Sequence, residues 1–181
     1  LDTSWLQHVQ KPARYTGGEY NSILKDHSTV DITMALGFPD VYEVAMSHLG
    51  IKILYGLVNR REDAVAERVF APWHDMEEEM RKRNIPLFSL ETRTPIKDFD
   101  VLAFTLQYEM SFTNILNMLD LAGIPMYAKD RDMDFPLLVC GGPCAYNVEA
   151  IADFFDIVSL GESEEWGDEF IDLLKAEKEK G

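Results

Sequence analysis

Two cysteines have the most suggestive chemical spacing in this sequence. Cys140 and Cys144 are separated by three residues, a spacing that can open the binding motif of a four-iron cluster, but the third position of such a motif is Asn147. Because two thiolates cannot hold a four-iron cluster, we interpret both cysteines as structural. Zinc is not expected either, since no partners stand at ligand spacing from the scattered histidines, His8, His27, His48 and His74.

A pair of glycines between the cysteines is the second chemical feature. Gly141 and Gly142 follow an apolar run, where they let a ligand approach the backbone closely and can aim N–H groups at an anion. The G-x-G-x-x-G fingerprint of dinucleotide-binding proteins and the G-x-x-x-x-G-K-[ST] phosphate loop are both absent from the sequence. We therefore expect neither NAD nor nucleoside triphosphate chemistry.

Short apolar runs rich in β-branched residues alternate with segments of helical periodicity, and these elements must position the glycines. Because the runs are nearly continuous in apolar residues, both faces of their sheet must be covered. The alternation predicts an α/β fold, a flavodoxin-like or Rossmann-like three-layer sandwich with a mostly parallel five-stranded sheet. The predicted strands are Val30–Leu36, Ala66–Phe70, Val101–Leu106, Leu137–Cys140 and Ile157–Leu160, with a short extra strand at Pro86–Leu90. The predicted helices are Val41–Arg61, Trp73–Asn84, Ser111–Ala122, Val148–Phe155 and Ser163–Lys180.

Length and composition predict one globular domain. The chain has 181 residues and a formal net charge of −15, and we expect an N-terminal arm over residues 1–28 and the α/β domain over residues 29–181. The negative charge argues against nucleic-acid binding through a basic face. No apolar run reaches about 18 residues, which argues against a membrane span. The first residues have no signal-peptide pattern and no initiator methionine, so we expect a cytoplasmic protein and a trimmed or excised chain.

Loops at the carboxyl ends of the predicted strands are the expected ligand-binding positions, because ligands of open α/β sheets bind there. The first of these loops begins at Gly37, and the loop after the third strand contains Gln107, Tyr108 and Glu109. The loop after the fourth strand begins at Gly141, and the acidic stretch at residues 161–165 follows the fifth. Their convergence at one edge of the sheet predicts a pocket.

The sequences of these loops resemble an uncharacterised family of bacterial radical S-adenosylmethionine (SAM) proteins. The resemblance runs from about residue 11 to residue 166, and its segments are residues 37–50 (GFPDVYEVAMSHLG), 67–77 (ERVFAPWHDME), 86–91 (PLFSLE), 104–109 (FTLQYE) and 140–147 (CGGPCAYN). It implies an N-terminal domain like the cobalamin-binding domain, followed in the family by a barrel that carries the C-x₃-C-x₂-C cluster motif. Residues 161–165 look like the segment that links the two domains.

The resemblance also defines what this chain is not expected to do alone. Cobalamin domains that ligate cobalt through histidine carry Asp-x-His-x-x-Gly after the first strand, whereas the loop here has Asp40 without that histidine, and His48 lies further on. Two alternatives follow: cobalamin binds without a protein ligand to cobalt, or the fold is kept without the cofactor. The [4Fe-4S] cluster and S-adenosylmethionine are expected only in the C-terminal barrel, which is the expected partner of this domain.

Ten residues form the predicted cofactor site, and none is predicted to be catalytic. The glycines would allow close approach, the aromatic residues would cover a flat macrocycle, and the amides would bond its side arms. The set is Gly37, Phe38, Pro39, Tyr42, Gln107, Tyr108, Glu109, Gly141, Gly142 and Asn147. Three functions follow: an accessory domain that cradles a corrinoid or covers the barrel's substrate opening, a structural domain with no cofactor, or a flavin- or nucleotide-binding flavodoxin-like module.

Overall fold

Five parallel strands form the central sheet in the computed structural model, which describes residues 4–180. The strands are β1 (Ile32–Phe38), β2 (Ala64–Phe70), β3 (Val101–Thr105), β4 (Leu137–Gly141) and β5 (Ile157–Val158). They lie in the order β2-β1-β3-β4-β5, and each neighbouring pair is parallel. This is the strand order of flavodoxin-like folds, in which the order reverses between β1 and β3. The predicted fold class is confirmed.

Helices cover both faces of this sheet. The helices are α1 (Tyr42–Ala45), α2 (Leu49–Asn59), α3 (His74–Arg83), α4 (Phe112–Ala122) and α5 (Ser163–Lys178). Helices α2 and α5 pack on one face through Ile51, Tyr55, Val58, Phe170 and Ile171. Helices α3 and α4 pack on the other through Met76, Met80, Ile115, Met118 and Leu119. The result is a three-layer sandwich with an apolar core on each side of the sheet.

The first strand lies two residues later than the sequence pattern predicts. Gly37 and Phe38 were expected in the following loop, but they belong to β1, where Phe38 pairs with Phe70 of β2. All seven residues of β1 are buried, so the strand continues for as long as both faces are covered. The fifth strand is shorter than predicted and contains only Ile157 and Val158.

Three other segments differ from their predicted form. The helix expected over Val41–Arg61 is divided into α1 and α2. The expected helix over Val148–Phe155 is replaced by parts of two 3₁₀ stretches, Pro143–Ala150, which is kinked at Asn147, and Ala152–Phe154. Instead of a strand, Pro86–Leu90 forms only an isolated antiparallel bridge, from Phe88 to Pro95.

The N-terminal arm packs against the domain. Trp5, Leu6 and Val9 are buried in the same apolar cluster as α3 and α4. Residues 1–3 of the predicted arm, and the side chains of residues 164 and 165 in the predicted linking segment, lie outside the described residues. The division into an arm and a domain stays a prediction. No helix in the described part of the chain is long and apolar enough to cross a membrane.

Lys25 joins the arm to the end of α2. Its Nζ donates hydrogen bonds to the carbonyl oxygens of Asn59 at 3.0 Å, Arg61 at 2.5 Å and Ala64 at 2.7 Å. These carbonyls lie at the end of α2, in the turn that follows and at the first residue of β2, and the carbonyl at the helix end lacks a helical partner. Burial lowers the pKa of the Lys25 amine, so three carbonyl contacts compensate for partial loss of water. Lys25 therefore fixes the connection between α2 and the sheet.

Replacing Lys25 with methionine tests this role. We expect Lys25→Met to lower the free energy of unfolding by about 2 kcal/mol, because carbonyls that accept from a charged donor lose their partner. Urea unfolding followed by circular dichroism measures the effect. The control is Lys52→Met, since Lys52 lies in α2 and is exposed. Equal unfolding midpoints for the two variants would contradict the assigned role.

Candidate functional site

A cleft opens where β1, β3, β4 and β5 end. It lies between the sheet and helices α2 and α5, and its volume is about 240 Å³. Apolar side chains form most of its walls: Leu36, Ala103 and Val139 from the sheet, and Leu54 and Phe170 from the helices. The cleft lies on the carboxyl side of the sheet and includes the ends of β1 and β3, where the strand order reverses and ligands of this fold class bind.

Six glycines line this cleft, and at two of those on the strand ends a side chain would not fit. A Cβ atom at Gly37 would lie 2.6 Å from the ring of Phe104. Gly142 has a φ of 107°, and a Cβ there would lie 3.0 Å from the carbonyl oxygen of Leu106. The strand ends can therefore approach one another only with glycine at these positions. The six are Gly37, Gly50, Gly141, Gly142, Gly161 and Gly167.

Few polar side chains reach the cleft. Gln107 lines it and donates a hydrogen bond from Nε2 to Oγ1 of Thr105 at 2.5 Å. Ser159 and Ser163 add hydroxyl groups, and Glu162 adds a carboxylate at the opening. The cleft therefore combines a mainly apolar interior with a few groups that can orient a ligand, as in small-molecule sites generally.

His48 also lines the cleft, although sequence reasoning set it aside. It is the residue immediately before α2, and its ring lies 5.2 Å from the ring of Phe38 between centroids. Its Nδ1 is buried without a hydrogen-bond partner among the described residues. A Cβ at Gly50 would lie 3.3 Å from this nitrogen, so Gly50 makes room for the ring. The available signal was the His-x-Gly sequence at residues 48–50, where Gly50 interrupts the predicted helix Val41–Arg61.

Four of the ten predicted site residues line the cleft, and these are Gly37, Gln107, Gly141 and Gly142. Phe38 lies in the core beneath His48. The carbonyl oxygen of Pro39 accepts a hydrogen bond from Asn114, and the hydroxyl of Tyr42 donates to Glu19. These residues support the loop after β1 and do not form the cleft surface.

The other predicted residues lie around the opening. The Tyr108 hydroxyl donates a hydrogen bond to the Asp40 carboxylate, which ties the loop after β3 to the loop after β1. Burial, followed by the neighbouring Glu109 carboxylate, raises the pKa of the Cys144 thiol. Asn147 is exposed at the kink in the 3₁₀ segment. None of these side chains lines the cleft.

Cys140 reaches the cleft from the end of β4. Burial raises the pKa of its thiol to about 12, so it stays protonated near neutral pH. A protonated thiol is a poor nucleophile and a poor metal ligand. Within residues 4–163 and 166–180, no three His, Cys, Asp or Glu residues are placed to hold a metal ion.

Comparison with known proteins assigns this fold to a family. Residues 50–181, well over half of the chain, match the family described as "Radical SAM proteins, N-terminal". The chain belongs to this family. The match begins in α2 and includes β3, β4, β5 and α5, which together form most of the cleft.

One curated relative is an uncharacterized protein of Methanocaldococcus jannaschii. It is 27% identical over 134 residues, which cover 72% of this chain and 24% of the relative. The chain thus spans about a quarter of that relative's length. The coarser expectation, an accessory N-terminal domain of a radical SAM protein, is confirmed by the family match. The expected cobalamin-like character and bacterial origin stay predictions.

The contact between Tyr108 and Asp40 in this radical SAM N-terminal domain has a measurable consequence. The hydrogen bond to the Asp40 carboxylate raises the pKa of Tyr108 to about 12. Tyr108 therefore keeps its proton to a higher pH in the folded state than in the unfolded state. Because of this difference, the free energy of unfolding falls as pH rises from about 10 to about 12. We expect Asp40→Asn to return the Tyr108 pKa toward about 10. The part of the stability loss at alkaline pH that comes from Tyr108 should then disappear.

NMR titration of ¹³C-labelled tyrosine measures the Tyr108 pKa directly, and Tyr108→Phe assigns its signal. Urea unfolding between pH 9 and pH 12, in steps of about one unit, then compares the parent chain with Asp40→Asn. A Tyr108 pKa that stays at about 12 in Asp40→Asn would show that this hydrogen bond does not join the loops after β1 and β3.

Proposed function

We propose that this radical SAM N-terminal domain is an accessory ligand-binding domain whose cleft holds the heterocyclic arm of a corrinoid. The observation that supports this most directly is the apolar, glycine-lined cleft of about 240 Å³ at the carboxyl edge of the sheet. A whole corrinoid is several times larger than this space, but one flat bicyclic heterocycle fits it. The macrocycle would then remain outside the cleft, available to the rest of the radical SAM protein.

The residues of the cleft suit such a group. Gly161 and Gly167 leave open space, since a Cβ at either position would have no neighbour within 4 Å. Trp166 and Phe170, stacked with 4.4 Å between ring centroids, supply aromatic surface on the helix side. The side chains of Gln107 and Ser159 are available to hydrogen-bond polar atoms of the arm. A bound corrinoid would supply methyl-transfer or electron-transfer chemistry at its cobalt.

His48 is proposed to contact the ligand without coordinating cobalt. Its Nδ1 is enclosed and cannot reach a ligand unless the ring moves. The loop after β1 offers Pro39 and Asp40 where a ligating histidine would otherwise stand. We therefore keep the expectation that binding relies on burial of apolar surface and on close backbone approach at Gly142.

An anionic ligand such as flavin mononucleotide is less well supported. No lysine or arginine lines the cleft among the described residues, and Glu162 lies at its opening, immediately before α5. A phosphate at this helix start would meet a carboxylate in a chain of net charge −15. The flavodoxin-like strand order alone therefore does not favour a flavin.

Calorimetric titration with three ligands tests the proposal: hydroxocobalamin, cobinamide, which has the same ring without the heterocyclic arm, and flavin mononucleotide. We expect hydroxocobalamin to bind at least about tenfold more tightly than cobinamide, a difference of about 1.4 kcal/mol. Equal affinities would show that the cleft does not hold the arm. No binding of any ligand would favour a structural domain, and binding of the flavin alone would favour a flavin module.

A matched pair of glycine variants locates the binding. Gly167→Leu fills the cleft from α5, and we expect it to weaken hydroxocobalamin binding at least about tenfold. Gly56→Leu is the control, because Gly56 is an exposed helical glycine of α2 that also has no neighbour within 4 Å and does not line the cleft. His48→Ala should cost less affinity than Gly167→Leu. A larger loss in His48→Ala would indicate coordination by histidine.

A further inference from the structure

Exposed apolar side chains lie in the segments that follow the strand ends at the cleft, and we call this set the apolar rim. They belong to the segments after β1, β3, β4 and β5, including α1 and the 3₁₀ stretch Pro143–Ala150, and to the start of α2. The members of the rim are Val44, Leu49, Tyr108, Met110, Tyr146 and Leu160. Leu49 lies between the cleft residues His48 and Gly50, and Leu160 lies between Ser159 and Gly161. Leu49 and Leu160 therefore adjoin the cleft directly.

The segments that carry the rim contain carboxylates and no lysine or arginine. Residues 37–50, 105–117, 141–150 and 159–163 include no lysine or arginine. Lys11 and Arg14 of the arm pair with Glu43 in α1. In the part of the chain that the structure describes, no cation pairs with the remaining carboxylates of these segments, which are Asp40, Glu109, Glu149 and Glu162.

The opposite edge of the sheet has the contrary arrangement. An aspartate stands immediately before each of four strands, and each pairs with a lysine or arginine. The pairs are Lys175–Asp31 at 2.6 Å, Arg61–Asp63 at 2.9 Å, Lys178–Asp100 at 2.6 Å and Arg131–Asp156 at 3.0 Å. Unpaired negative charge and exposed methionine and tyrosine side chains therefore occur together at the cleft edge.

We infer that the apolar rim is the docking surface for the catalytic domain of the same radical SAM polypeptide. The fitting partner surface is apolar and bordered by lysine or arginine side chains. Exposed apolar patches with a polar border mark interaction sites, and methionine and tyrosine are enriched in interface cores. The occupant follows from family membership, because such N-terminal domains are joined to a much longer chain, and the M. jannaschii relative extends well beyond the matched quarter.

Covalent linkage makes this occupant the favoured one. A domain joined to another by a linker faces it at a high effective concentration, so a modest apolar contact is sufficient for docking. The complementary charge would steer the two surfaces together and make docking weaken as salt rises. This inference rests on family membership and not on corrinoid binding.

Hydrogen exchange of the full-length radical SAM polypeptide tests the inference, with this 181-residue chain as the reference and no corrinoid present. We expect slower exchange in the rim segments of the full-length protein, and unchanged exchange at the opposite edge around residues 60–63 and 131–135. Because corrinoid is omitted, the result is independent of whether the cleft binds that cofactor.

Two substitutions at Met110 separate apolar from charge effects. Met110 is 86% exposed, so its replacement leaves the fold intact. Met110→Lys should return the rim to the exchange rates of the 181-residue chain, and Met110→Glu should do so only partly, because it keeps the acidic character. The control is Met133→Lys, since Met133 is 99% exposed and precedes β4 at the opposite edge.

Three results would overturn the inference. Identical rim exchange in the two chain lengths would exclude docking, and an equal effect of Met133→Lys would show a nonspecific charge effect. Protection of the rim in the 181-residue chain that increases with its concentration, together with a dimer in sedimentation, would identify a second copy as the occupant instead.

Discussion

Parallel pairing of all five strands is the constraint on which the rest of this structure depends. Parallel neighbours need a crossover between them, so helices must cover both faces and all carboxyl ends must lie at one edge. β1 lies within the sheet, between β2 and β3, and its seven residues are all buried. The cleft forms at this carboxyl edge because α2 and α5 cover the same face. Gly37 and Gly142 let the strand ends approach one another at this edge.

The outer strand β2 imposes a second requirement, because it carries two adjacent buried charges. Glu67 accepts hydrogen bonds from Ser89 at 2.5 Å and Thr92 at 2.7 Å and contacts His27 at 2.7 Å. Arg68 is bonded to Glu91 at 2.6 Å, and burial raises the pKa of Glu91 against the opposing effect of that arginine. Buried charges must be paired to be tolerated. The arm and residues 88–92 supply the partners and also cover the free edge of the sheet.

The sequence pattern was sufficient for the fold because buried parallel strands are continuous apolar runs. It placed the end of β1 too early because Gly37 is a turn signal in the sequence, whereas here glycine is required by the ring of Phe104. Topology predicted the edge at which the cleft lies and three of the glycines that line it. It could not show that Phe38 and Tyr42 face the protein interior, or that α5 brings Trp166 to the cleft. Side-chain direction and the face that a helix covers arise from packing, which residue spacing does not encode.

The amino edge of the sheet stabilises the fold, whereas the carboxyl edge carries the cleft and the exposed groups available for interaction. Aspartates before the strands hold the amino edge: Asp100 accepts from the Thr33 backbone N–H at 2.8 Å, and Asp156 accepts from that of Leu138 at 2.7 Å. Each also pairs with a cation, so the charge at this edge is already compensated. At the carboxyl edge Lys11 and Arg14 compensate only Glu43, and among the described residues no cation pairs with Asp40, Glu109, Glu149 or Glu162. Exposed side chains of this edge adjoin residues of the cleft. A body that covers the rim therefore also closes the cleft, so a ligand must enter before that body docks or leave after it separates.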